Sequence, residues 1–95
     1  SFDIGLVNLR TGDAKCDAAA TELYAKLQKA GKTVLYDDRG ESAGAKFATM
    51  DLIGLPWQAV IGPRGVAAGK VEIKRRATGE KQELSTDEAI ARLVG

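Results

Sequence analysis

No histidine occurs in the 95-residue chain, and there is one cysteine, Cys16. Without histidine the commonest general base is missing, so Ser-His and Cys-His nucleophilic sites are excluded. One thiol cannot form an internal disulfide, and zinc sites are built from clustered Cys and His that this chain does not have. The cysteine usage suits a reducing cytoplasm. No apolar run approaches the roughly 20 residues of a membrane-spanning helix. The opening Ser1-Phe2-Asp3-Ile4 has no charged region followed by an apolar one, so it does not read as a signal peptide. It enters an apolar pattern directly, and the expectation is a single domain over residues 1–95, cut from a longer chain.

Hydrophobic residues make up 44% of the sequence, enough for one packed core. The net charge of +1 is uninformative, but its distribution is not. Between Arg64 and Lys81, six basic residues (Arg64, Lys70, Lys74, Arg75, Arg76, Lys81) stand against Glu72 and Glu80. Such a local excess attracts phosphates, and it equally blunts an edge strand.

Phe2 to Leu9 reads as a strand, and Thr11-Gly12-Asp13 supplies turn and cap chemistry. Cys16, Ala20, Leu23, Leu27 and Ala30 then recur at helical spacing. Thr33 to Tyr36 is a second strand, stopped by Asp37-Asp38-Arg39-Gly40. Ser42 caps a second helix carrying Phe47, Met50 and Ile53. Trp57 to Ile61 is a third strand, stopped by Gly62-Pro63-Arg64-Gly65, after which Gly65 to Gly69 reads as a surface loop. Gly69 to Arg75 alternates and pairs across Ala77-Thr78-Gly79-Glu80 with a strand from Lys81. Ser85 and Glu88 form a capping box for a last helix. The predicted fold is α/β: a mixed five-stranded sheet, three strands parallel through right-handed crossovers plus a C-terminal hairpin, flanked by three helices.

Ligands of open parallel sheets collect at the carboxyl ends of the strands. Those ends carry Arg10, Arg39 and Arg64, and Lys46 follows in the next helix. Two other motifs fail. Gly65 to Val71 resembles a phosphate loop, but it is one residue short, has Val where a hydroxyl belongs, and precedes a strand. Asp37-Asp38 resembles an acidic phosphoacceptor pocket, but it follows the second strand and no aspartate ends the third. One of these two aspartates is expected to cap turn amides or pair with Arg39.

Asp37-Asp38-Arg39, Ala43-Gly44-Ala45-Lys46-Phe47, Asp51-Leu52-Ile53-Gly54-Leu55-Pro56 and Ile61-Gly62-Pro63-Arg64 together resemble the C-terminal anticodon-binding domain of class II aminoacyl-tRNA synthetases. Lys70 to Glu80 brings the resemblance nearest the bacterial prolyl type. Two positions depart from the family pattern: Ala43-Gly44 where Pro-Gly is common, and Asp51 where Glu is common. The resemblance implies an RNA-reading module with no cofactor of its own, while ATP and magnesium belong to the catalytic domain of the same chain. The partners it implies are proline tRNA and that catalytic domain, within a parent homodimer. It also implies anticodons whose second and third bases are guanine. Guanine's pairing edge sets N–H donors beside an acceptor, so its reader needs a carboxylate and a cation. Arg39, Lys46, Asp51, Arg64 and Asp38 are therefore the candidate base contacts. Arg10, Lys70, Lys74 and Arg76 are candidate phosphate contacts, with Lys74 and Arg76 on one strand face and Arg75 on the other. Phe47 and Trp57 are candidate stackers, though packing against the core is favoured for both. An accessory protein-interaction module and a small-ligand module on the same sheet are the competing readings.

Overall fold

A computed structural model describes residues 2–95. The strands are β1 (Ile4–Asn8), β2 (Val34–Asp37), β3 (Trp57–Ile61), β4 (Lys70–Arg75) and β5 (Lys81–Ser85). The helices are α1 (Ala14–Lys29), α2 (Ala43–Ile53), α3 (Pro63–Ala67) and α4 (Thr86–Val94). They form one sheet of order β2-β1-β3-β4-β5. β1 pairs in parallel with both β2 and β3, and β4 and β5 close the sheet antiparallel. This is the mixed five-stranded sheet expected from the sequence.

The strand order dictates where the helices lie. The chain steps from β1 outward to β2, then back across β1 to β3. With right-handed crossovers, reversing the direction of travel puts successive helices on opposite faces. Accordingly, α1 and α4 cover one face, where Ile4, Leu6, Ala59, Ile61, Val71 and Ile73 meet Cys16, Ala20, Leu23, Leu27, Ala89 and Leu93. α2 covers part of the other, where Met50 and Leu55 pack on Val7 with Leu35 and Phe47 alongside.

Each long helix starts at a side-chain cap. Asp13 accepts from the Cys16 amide, Ser42 from that of Ala45, and Ser85 and Glu88 form the expected reciprocal box. The sequence reading of Gly65 to Gly69 as loop needs correction. Pro63 to Ala67 is a one-turn helix with Pro63 at its first position and the Val66 amide bonded to the Gly62 carbonyl. Five residues are too few to display a helical period, so only tertiary packing of Val66 on the main core reveals it. No helix among the described residues is long and apolar enough to cross a membrane.

Candidate nucleic-acid interface

Parallel pairing brings the carboxyl ends of β1, β2 and β3 to one edge, and a polar network stitches the first two loops there. Asn8 is fully buried at the end of β1. Its amide nitrogen donates to Asp17 Oδ1 at 2.9 Å and, at 3.4 Å, to the Tyr36 hydroxyl, while its Oδ1 accepts from the Arg10 amide. Lys46 crosses from α2 beneath this loop and is only 2% exposed. Its ammonium donates to the Asn8 carbonyl at 2.8 Å and to Thr11 Oγ1 at 3.0 Å. The Thr11 hydroxyl in turn donates to the Arg39 carbonyl. Arg39 forks onto Asp37, Nε to Oδ1 and Nη2 to Oδ2, both at 2.8 Å. The second nitrogen also reaches Thr49 Oγ1.

The fork from Arg39 is the main reason the Asp37 carboxyl titrates below its ordinary range, and it outweighs the opposing effect of burial. A carboxyl with a lower pKa in the folded state contributes stability above its unfolded pKa of about 4. That contribution disappears as the pH falls through the folded value. Asp13, held by the Cys16 amide, and Glu88, held by the Ser85 hydroxyl, shift the same way. Asp37→Asn is therefore expected to flatten the acid limb of stability. Urea unfolding from about pH 6 down to about pH 2 checks this, since the difference from the parent should shrink as the parent's Asp37 protonates.

The opposite end of α2's footprint leaves sheet uncovered. Registers Gln58↔Lys74↔Lys81 and Val60↔Glu72↔Glu83 place these six side chains in two rows on the face that β3, β4 and β5 turn away from α1 and α4. α2 walls this face with Phe47 and Asp51, one turn apart. Three cavities of about 160, 120 and 190 Å³ share lining residues and run on as one trough, the first two against α2. The first holds Asp51, Gln58, Lys74, Arg76 and Gly79. The second adds Phe47, Val60, Glu72 and Lys81, and the third runs on past Glu83 to Leu9, Arg64 and Lys70. Among the described residues, no carboxylate pairs with Lys70, Lys74, Arg76, Lys81, Arg64 or Arg10. The trough thus carries cations outside ion pairs toward both ends, together with three carboxylates, Asp51, Glu72 and Glu83.

Residues 3–95 match a family model described as the anticodon binding domain. The chain belongs to the anticodon-binding domain family. It is 65% identical over 94 residues to a proline–tRNA ligase of Rhizorhabdus wittichii. It is 62% identical over 94 residues to the proline–tRNA ligases of Rhodospirillum rubrum and Parvibaculum lavamentivorans. These matches take in 99% of the chain and 21 or 22% of each relative, so the chain spans about a fifth of the length of the curated relatives it matches.

Within this anticodon-binding domain the candidate residues divide into groups. Arg39, Lys46 and Asp51 do not converge as the sequence reading expected. Lys46 is buried under the β1–α1 loop, Arg39 lies on the β2 side of α2 beside Thr49, and Asp51 faces the trough on the other side. The spacing of Lys46 and Asp51 is five residues, too wide for one face of a helix. Asp37, the structural member of the aspartate pair, holds Arg39, while Asp38 is exposed. Arg10 and Arg64 are exposed on segments leaving the carboxyl edge. Lys74 and Arg76 share the trough, while Arg75 turns to the opposite face and sits 5.2 Å over the Trp57 ring. Trp57 packs beside the main core, and Phe47 beside the smaller one. Gln58 and Lys81 line the trough; sequence alone does not single out Gln58, and it gives Lys81 only as part of the local basic excess. Alternation shows which residues of one strand share a face, but only the cross-strand register reveals that Gln58, Lys74 and Lys81 stand in line.

Proposed function

We propose that this domain reads the guanines of proline anticodons in the trough, as one part of a longer proline–tRNA ligase whose other domains carry the ATP-dependent ligation. The observation that carries the reading is Asp51 and Lys74 lining the same cavity. A carboxylate accepts from guanine's N–H groups, and an ammonium donates to O6 or N7. Anticodon bases are unpaired and can be splayed from their loop, so a trough on a sheet can take their edges. Lys81 and Arg76 near one end, with Lys70 and Arg64 at the other, fit the flanking phosphates. Arg10, Arg39 and Asp38 stand outside the trough, on the loops at the carboxyl edge of the sheet, and are left for contacts with the rest of the anticodon arm. Lys46 enters this proposal as the residue that fixes the rim loops, with no base contact of its own. Identity with proline–tRNA ligases supports the choice of tRNA.

Asp51→Asn should weaken binding of a proline anticodon stem–loop by about 1–2 kcal/mol. It should leave a loop with adenines in place of the guanines nearly unaffected. Lys74→Ala should cost about 1 kcal/mol and lower the salt slope by about one unit. Fluorescence titration at two or more salt concentrations measures both. Native circular dichroism with unchanged affinity in both variants would remove the trough from consideration.

A further inference from the structure

We infer that Gln58 is a specificity-determining residue: it orients Asp51 and supplies a second acceptor to the same purine edge. The inference rests on the trough being the guanine site. Asp51 by itself is poorly suited to discriminate. It is exposed near the end of α2, and a free carboxylate there rotates among several geometries. Gln58 has the opposite character. It is 7% exposed, on the strand that pairs with both β1 and β4. Its neighbours across the sheet are Gly5 and Lys74.

Its side-chain amide meets Asp51 Oδ1 at 3.3 Å. A carboxylate only accepts, so the atom facing it is Nε2, and this fixes which way the amide points. Oε1 then takes no hydrogen bond from another described residue, and it is not sealed from solvent. Gln58 lines the cavity that Asp51 and Lys74 also line. The resulting set is two acceptors, the Asp51 carboxylate and Gln58 Oε1, with an ammonium beside them. Guanine presents the complement: N1–H and the N2 amino group as donors, with O6 as acceptor. Adenine's edge carries an acceptor at N1 and no N2 amino group, so it leaves one of these acceptors unpaired. That mismatch disfavours it more than any lost attraction.

The test compares proline anticodon stem–loops carrying guanine or inosine at the read position, titrated against the full-length ligase. Inosine lacks only the N2 amino group. The parent protein should prefer guanine, and Gln58→Met, which keeps length but loses the amide, should shrink that preference roughly tenfold. Affinity for the inosine loop should stay near the parent value. An effect on folding alone would lower both affinities together and leave the preference intact. If Gln58→Met does not fold, Gln58→Asn is the second variant. It keeps the amide but draws it one methylene back from Asp51 and from the purine edge, and should lose the preference too. An unchanged guanine preference in the folded variant overturns the inference. If Asp51→Asn and Lys74→Ala still weaken guanine binding in that case, only the role of Gln58 falls. If they do not, the reading of the trough falls with it.

Discussion

Lys46→Ala is expected to lower the unfolding free energy by roughly 3–5 kcal/mol. Two losses combine. The aliphatic stem is buried, so its removal leaves a cavity beneath the β1–α1 loop. The Asn8 carbonyl and Thr11 hydroxyl also lose their donor. Thr11 is the link from that loop to the Arg39 carbonyl, so the two rim loops come apart together. Lys46→Met restores volume without the donor and should recover about half of the loss, the share due to packing. Urea denaturation of both variants separates the two contributions. A lysine gripping RNA directly would behave otherwise, with native stability and weakened binding. At a urea-free temperature where Lys46→Met is folded, its affinity for the stem–loop should stay near the parent value.

Gly5→Val should cost about 3 kcal/mol, near the upper end for overpacking. A Cβ at Gly5 would stand 2.5 Å from Met50 Sδ and 3.1 Å from Leu55 Cδ1. Met50 is 1% exposed and Leu55 5%, and the room beside Met50 is a cavity of about 280 Å³ that it lines with Leu35 and Ile53. Turning Met50 into that cavity absorbs only part of the clash of a branched side chain, so the rest is expected to lift the helix from β1 and carry Asp51 away from Lys74. Binding of guanine-containing loops by the folded fraction should therefore fall along with stability. Leu23→Ala is the control. It opens a cavity on the opposite face, lowers stability by about 2–5 kcal/mol, and leaves the affinity of the folded fraction unchanged. Thermal unfolding together with stem–loop titration distinguishes a helix displaced over the trough from a core merely weakened.

Much of this architecture is legible because it is locally encoded. Of the stripe Cys16, Ala20, Leu23, Leu27 and Ala30, the first four are the residues fully buried in α1, while Ala30 is its exposed C-cap. Ser85 and Glu88 announce α4 through a motif four residues long. Alternation in β4 separates Lys74 and Arg76 from Arg75. The pairing of Arg39 with a nearby aspartate is legible too, since Asp37 and Arg39 are two residues apart. The unread features are long-range. Lys46 looks like a solvated helix cation until the β1–α1 loop is laid over it, 35 residues away at Thr11. Gln58 is a neutral residue in an apolar strand, and its meaning depends on a helix and two strands arriving beside it. Strand carboxyl ends direct attention to the loops there, whereas four of the trough's cations, Lys70, Lys74, Arg76 and Lys81, lie along the hairpin. α2 covers too little of the sheet to close that face, and no sequence period records how far a helix reaches sideways.

Cys16 has a practical consequence. Its thiol is fully enclosed, and burial, helped by the nearby Asp13 carboxylate, pushes its pKa up and disfavours the thiolate. An alkylating reagent reaches it only when α1 leaves the sheet. With no second sulfhydryl in the chain to compete, the rate of labelling counts opening events of the larger core directly. The molecule thus carries its own clock for unfolding, set on the face away from the trough.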